Sequence, residues 1–323
     1  MPALTRRLAR IAFAGMLVWL ALLFVPLATE PGPAEEAAHL VLLAPLALVP
    51  LLLTASAPAS FAAPTRMLTA ASWLLMPGAL GAAAAFVVPA GPLAAGLAAL
   101  WVVPTLALAA WALAEAVGRR RAGTLDATEL AVAVGWSILP GGALCLVLAR
   151  SGVDVGASPL AVLLATVHVH YAGAFALVWA GLLGRTLPDG WRRPHAVLVA
   201  GLVVGSLMIA LGVAWRAWPS GSLAVASLGA ALLTLSAAGV GGLGVVRAGS
   251  FEDRTAGLMV AVSGGALVLA MGLAAWVQFG ARLGLDPPDV AWTAERYGWL
   301  VAYGFGLWGA LGWRRLRPRP RGG

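Results

Sequence analysis

Apolar residues run along this chain in ten long blocks, about 9–28, 37–56, 68–90, 92–117, 128–149, 159–184, 195–217, 222–246, 256–281 and 296–313. Each reaches or approaches the roughly 20 residues a helix needs to cross a hydrocarbon core about 30 Å thick. The pattern predicts an all-α, polytopic membrane helix bundle of about ten transmembrane helices, forming a single transmembrane domain over residues 1–323. The gaps are short and polar, the longest being 57–67, 118–127, 185–194, 29–36, 150–158 and 282–295, so no soluble domain fits between blocks. The first block follows Arg6, Arg7 and Arg10 as a signal peptide would. Its length, and the lack of a small-residue cleavage site after Pro26, predict a retained helix instead.

Composition agrees with the pattern and adds an orientation. At 61% hydrophobic and 11% charged residues, with a mean hydropathy of +0.91, the chain is too apolar for a soluble domain. Its net charge of +8 comes entirely from arginine. These arginines sit in the gaps and at the termini, which reads as membrane topology and not as nucleic-acid binding. With both termini placed in the cytoplasm, 17 arginines fall inside and four outside. The four, Arg150, Arg216, Arg282 and Arg296, stand at helix ends where they are expected to snorkel, with Trp215 and Trp218 flanking Arg216. The arginine-rich tail reads as a stop-transfer signal or a contact with anionic lipid. Cys145 is the one cysteine, so there is no disulfide framework and no thiol metal site.

The two halves differ in their helix breakers. The first five blocks hold Pro45, Pro50, Pro77-Gly78, Pro104 and Pro140-Gly141-Gly142, whereas the interiors of the last five hold no proline. Kinks, and a polar interior beside them, are expected in the first half. Close helix packing through Gly201, Gly205, Gly257, Gly264 and Gly265 is expected in the second.

Candidate chemistry centres on Thr166-Val167-His168-Val169-His170-Tyr171 in the sixth block. Two residues apart on an ideal helix is about 200° of rotation, so His168 and His170 point to opposite sides unless the helix bulges. His168 shares a face with Tyr171, and His170 shares one with Thr166 and Gly173. The pair reads either as interhelical hydrogen-bond glue or as a substrate or proton site, with Tyr171 and Thr166 orienting the rings. Glu35, Glu36 and His39 open the second block. They satisfy a helix N-terminus or line an outer vestibule suited to a cation, a proton relay or a metal. Gln278, Tyr297 and Tyr303 fall at comparable depth. Glu115 with Arg119 reads as a local i, i+4 ion pair, and Asp126 with Glu129 as a capping box. His195 reads as interfacial. Nucleotide-loop, serine-hydrolase and zincin signatures are absent, and four histidines are too few for a membrane di-iron enzyme.

The run His168-Val169-His170-Tyr171-Ala172-Gly173-Ala174-Phe175, with Glu36 ahead of Leu43-Ala44-Pro45-Leu46-Ala47-Leu48-Val49-Pro50-Leu51, resembles the YndJ-like family of bacterial membrane proteins. That resemblance implies a His-aromatic-His-Tyr-Ala core, from which this chain departs at Val169. It implies a transporter-like protein in the bacterial inner membrane, with Glu36, His168, His170 and Tyr171 as the residues to test. The leading expectation is a permease for a small solute or ion, in contact with the lipid bilayer and without nucleic acid or a favoured cofactor. A membrane enzyme or redox protein binding haem or a divalent metal through His39, His168 and His170 is the alternative. A non-catalytic membrane partner is the third.

Overall fold

Each apolar block becomes one helix. In the computed structural model, which describes residues 2–27, 32–57, 65–215, 224–286 and 288–320, these are α1 (Pro2–Leu22), α2 (Pro33–Ser56), α3 (Thr65–Val87), α4 (Pro92–Arg121) and α5 (Ala127–Ser151), then α6 (Pro159–Gly184), α7 (Arg192–Trp215), α8 (Ala224–Ala248), α9 (Arg254–Phe279) and α10 (290–316). No strand occurs among the described residues. Eight of the ten helices are long and apolar enough to cross a membrane; α1 and α10 are not among them. In α1 the charges of Arg6, Arg7 and Arg10 lie within the helix itself, which spans Pro2–Leu22 and so begins earlier than its block. A multi-pass membrane bundle is the fold.

Local chemistry sets the helix ends. Proline opens α2, α4 and α6, where a missing amide hydrogen costs nothing. The side chains of Asp126, Ser158, Asp253 and Asp289 each accept the amide of the residue three on, capping α5, α6, α9 and α10. The Glu129 amide thus meets Asp126, yet the Glu129 side chain does not complete a capping box, because it is engaged elsewhere. Arg150, at the end of α5, is also engaged by a neighbouring helix. It donates to the carbonyls of Ala85 (3.1 Å) and Val88 (2.9 Å), closing the end of α3. Arg216, Trp218 and the Trp215 side chain lie outside the described residues.

At the centre stands α2, with 94% of its apolar window buried against 33% for the peripheral α7. It packs on α1, α3, α6 and α10. A helix hydrophobic all round belongs there, since every face meets protein. Outward-facing Phe13, Leu106, Leu113, Leu207, Leu235 and Leu269 leave the flank apolar, as contact with acyl chains requires.

Three helices change their winding midway. Ala44–Leu48 in α2, Val169–Phe175 in α6 and Leu300–Leu307 in α10 are π-helical. Pro45, lacking an amide hydrogen, lies in the first, but the others contain no proline, so breaker content alone does not locate them. Glycine packing holds where expected at Gly205, whose Cβ would lie 2.7 Å from the Leu233 amide on α8, and at Gly264, set against the Gly241 carbonyl. Gly265 departs from that expectation, having open space where a Cβ would stand. Proline-bearing α3 and α4 also meet through glycine, a Cβ at Gly78 lying 2.7 Å from Pro104 Cγ.

Candidate functional site

The π segment of α6 starts at Val169, between the two histidines, and separates their fates. His170 is fully buried (0% exposed), whereas His168 is partly exposed and makes no side-chain hydrogen bond among the described residues. His170 Nδ1 donates to the Thr166 carbonyl (2.8 Å) and Nε2 accepts from Trp101 Nε1 on α4 (3.3 Å). Trp101 can only donate, so Nε2 is the acceptor and the proton sits on Nδ1. Where an α ladder gives way to a π ladder, backbone pairing shifts by one residue, and a carbonyl at the junction has capacity for a side-chain donor. Thr166 therefore orients the ring, but through its backbone; its hydroxyl donates to Val162 (3.1 Å). The ring lies on Gly142 of α5, where a Cβ would come within 2.5 Å of Nδ1. His170 thus faces the proline-bearing helices α4 and α5.

Tyr171 faces the other way. Its hydroxyl donates to the Leu40 carbonyl of α2 (2.8 Å), and its ring meets Phe175 edge-on at 5.3 Å. The three π segments come together here, since a Cβ at Gly306 of α10 would lie 3.0 Å from both Leu48 Cδ1 of α2 and Tyr171 Cε1 of α6.

The second group clusters at the α2 N-terminus. His39 Nε2 donates to the Leu22 carbonyl of α1 (3.0 Å), and Trp19 Nε1 donates to the His39 carbonyl (2.9 Å). Glu35 and Glu36 occupy the first turn of α2, both partly exposed. Glu36 is within electrostatic reach of Glu295, Arg296 and His39, and Tyr303 is within reach of Glu36. Glu295 and Arg296 are themselves ion-paired. Tyr303 packs at a tilt on Trp19 (5.8 Å) and edge-on to Trp299 (6.0 Å), which puts it beside this cluster. Gln278 does not; it donates to Ser227 between α8 and α9. Among the described residues no three of His, Cys, Asp and Glu are placed to hold one metal ion. His39, His168 and His170 are therefore not gathered into one ligand set, and ligation by His39 or His170 would break the bonds just described.

The most heavily charged buried site was missed by sequence reasoning. At the opposite end of the bundle, Arg185, just past α6, donates from Nε and Nη2 to the two carboxylate oxygens of Glu129 (2.8 and 2.9 Å). Its Nη1 donates to the carbonyls of Ser56 (3.1 Å) and Pro318 (3.3 Å). Arg119 Nε lies 2.8 Å from Glu115, as the i, i+4 spacing predicts, and 3.6 Å from Glu129. All four charged residues are buried. They line a narrow cleft with Trp111 and Trp136, with room for about one ordered water. The sequence signals were present, two acids and two arginines at the same ends of consecutive blocks, but the local readings of cap and helix pair each accounted for one residue and left Arg185 as a topology marker. His195 departs from expectation too. It is buried, donates from Nε2 to the Ala180 carbonyl (2.8 Å) and packs on Gly184.

The profile of the YndJ-like protein family matches residues 39–305, a stretch that takes in the π segments of α2 and α6, His168, His170, Glu129 and Arg185. No curated protein and no solved structure matches the chain. The chain therefore belongs to the YndJ-like family.

Proposed function

We propose that the protein is a permease for a small solute or ion in the bacterial inner membrane, with both termini in the cytoplasm. The observation that carries this reading is the meeting of three π-helical segments at Gly306, between the acidic cluster at the α2 N-terminus and the Arg185 cluster. A π segment is a register defect that recurs at functional sites, and irregular winding within a membrane is tolerated where helices line a path. Three defects packed on one another let α2, α6 and α10 shift relative to their neighbours without losing a whole turn of hydrogen bonds. In this reading Glu36 and His39, with Glu35, form the outer mouth, and His168, His170, Thr166 and Tyr171 flank the middle. With both termini in the cytoplasm the arginine excess falls on that side, and it is the positive-inside rule that supports this orientation.

Purified protein in liposomes, loaded with a pH dye and offered radiolabelled small ions and solutes, should show flux above protein-free liposomes. Gly306→Ala puts a methyl into 3.0 Å contacts on both neighbouring helices. It should cut that flux by about tenfold, the factor for about 1.4 kcal/mol on the barrier, while the protein stays monodisperse. Flux at the protein-free level, or an unchanged rate in Gly306→Ala, overturns the reading.

A further inference from the structure

Arg119 and Arg185 face carboxylates, and Arg150 reaches two carbonyls. Arg7, in the second turn of α1, is fixed in place by neutral groups instead. Its Nη1 donates to the Ser72 hydroxyl on α3 (3.3 Å), which in turn donates to the Thr69 carbonyl (2.7 Å). Its guanidinium lies over the ring of Trp73, 3.5 Å from the centroid, and that indole is 64% exposed. The side chain is thus held at the flank of the bundle with N–H groups to spare, since a guanidinium has five.

No acid shares this corner. α1 packs on α2 and α3, and among the described residues the stretches 2–27, 37–56 and 65–87 hold no Asp or Glu. They hold Arg6, Arg7 and Arg10 on α1, and Arg66 two turns ahead of Trp73 on the same face of α3. Arg6, Arg10 and Arg66 are exposed. Arg10 is one turn from both Arg6 and Arg7, so their like charges repel. Positive charge within a membrane helix is costly until something of opposite sign meets it, and the protein offers no such group here.

The bilayer offers one in its phosphates. Guanidinium groups match phosphate oxygens by paired N–H bonds, and anionic headgroups attract arginines near the membrane surface. Past the arginines the same faces turn apolar. Phe13 and Leu17 continue the Arg6–Arg10 face of α1, and Leu80 continues the Trp73 face of α3, all three exposed. A headgroup seated on the arginines lays its acyl chains along these side chains, a contact that a free anion cannot make.

We infer that Arg6, Arg7, Arg10 and Arg66, with the Trp73 ring, form a binding site for the phosphate of an anionic glycerophospholipid, its acyl chains lying along the exposed flank of α1 and α3. The site is independent of the permease reading and of any transported solute. Only its leaflet, the one at the cytoplasmic face, follows from the orientation proposed above.

Native mass spectrometry of the full chain in a mild detergent counts the lipids that stay bound. Titration with phosphatidylglycerol is expected to give a saturable adduct. It should be bound about tenfold more tightly than phosphatidylcholine, whose choline cancels the phosphate charge. Arg7→Gln and Arg10→Gln should each loosen it about fivefold, the factor for about 1 kcal/mol per arginine. Trp73→Leu keeps the flank apolar but removes the platform under Arg7, and should loosen it about twofold to fivefold, the worth of an exposed cation–π contact. Arg192→Gln, on the distant α7 and paired with Asp189, should change nothing. If Arg7→Gln is not monodisperse, the double variant Arg6→Gln, Arg10→Gln decides, both side chains being exposed. Equal binding of the two lipids overturns the inference. So does an affinity for phosphatidylglycerol unchanged in both Arg7→Gln and the double variant, or a loss in Arg192→Gln as large as in Arg7→Gln. Displacement of the lipid by inorganic phosphate, but not by chloride at the same ionic strength, makes the site one for a free anion and overturns it as well.

Discussion

His170 and Glu129 are both buried polar residues, at 0% and 6% exposure, and the fold handles them in opposite ways. The imidazole gives one hydrogen to a carbonyl on its own helix and accepts one from an indole on α4, so its hydrogen-bonding capacity is used and it carries no charge that needs a partner. The Glu129 carboxylate is matched by a guanidinium from another helix and has a second arginine 3.6 Å away and a cleft alongside. Depth in the bundle is thus a poor guide to reactivity. The deep histidine is a tie between helices, while the acid near the end borders space and balances charge.

Several substitutions break or sharpen that contrast. Arg185→Ala strands the Glu129 carboxylate and should cost about 3–5 kcal/mol, read as a large drop in thermal unfolding temperature in detergent. Exchanging both partners together, Arg185→Met with Glu129→Leu, should recover most of it, and a single-mutant cost under about 1 kcal/mol would mean the pair behaves as a surface strap. His170→Ala leaves the Trp101 N–H buried without an acceptor and should cost about 1–3 kcal/mol. Gly142→Ala, by pushing the ring off its seat, should cost a similar 1–3 kcal/mol, and combining the two should be less than additive because both act through one contact. His168→Ala should stay within about 0.5 kcal/mol, which separates the two histidines by measurement. The smallest effect belongs to Asp253, which is partly exposed. The Ala256 amide that it caps, and then Arg315, hold its carboxyl below the usual carboxylate value. Its contribution is present above the unfolded pKa and is lost as pH falls through the lowered folded value. The difference in unfolding temperature between the natural protein and Asp253→Ala should be full at neutral pH and close in acid.

Much of this was legible in the residues. Ten apolar blocks became ten helices because span length leaves little choice, and Asp126 marked a helix start by ordinary capping chemistry. His170 is buried and His168 partly exposed, but a π segment begins between them, so the ideal-helix rotation used to place their faces does not apply as it stood. What periodicity did not carry was the π winding, since only one of the three segments contains a proline. Nor did it carry the Glu129–Arg185 pair, 56 positions apart. Glu115–Arg119 was legible because its partners are local. Glu129 was misread because a cap three residues away offered a sufficient local explanation, and only the packing of α5 beside α6 supplies the true partner.

The enclosure of α2 has a consequence for assembly. This helix is long and apolar enough to enter lipid as soon as it is made, yet the two neighbours that complete its surround, α6 and α10, follow it in the chain and are made later. Its flanks are therefore expected to rest against acyl chains first and to exchange them for protein only once α10 has been made. Truncations ahead of residue 290 should therefore insert but leave α2 open to lipid-phase crosslinkers that the full chain excludes.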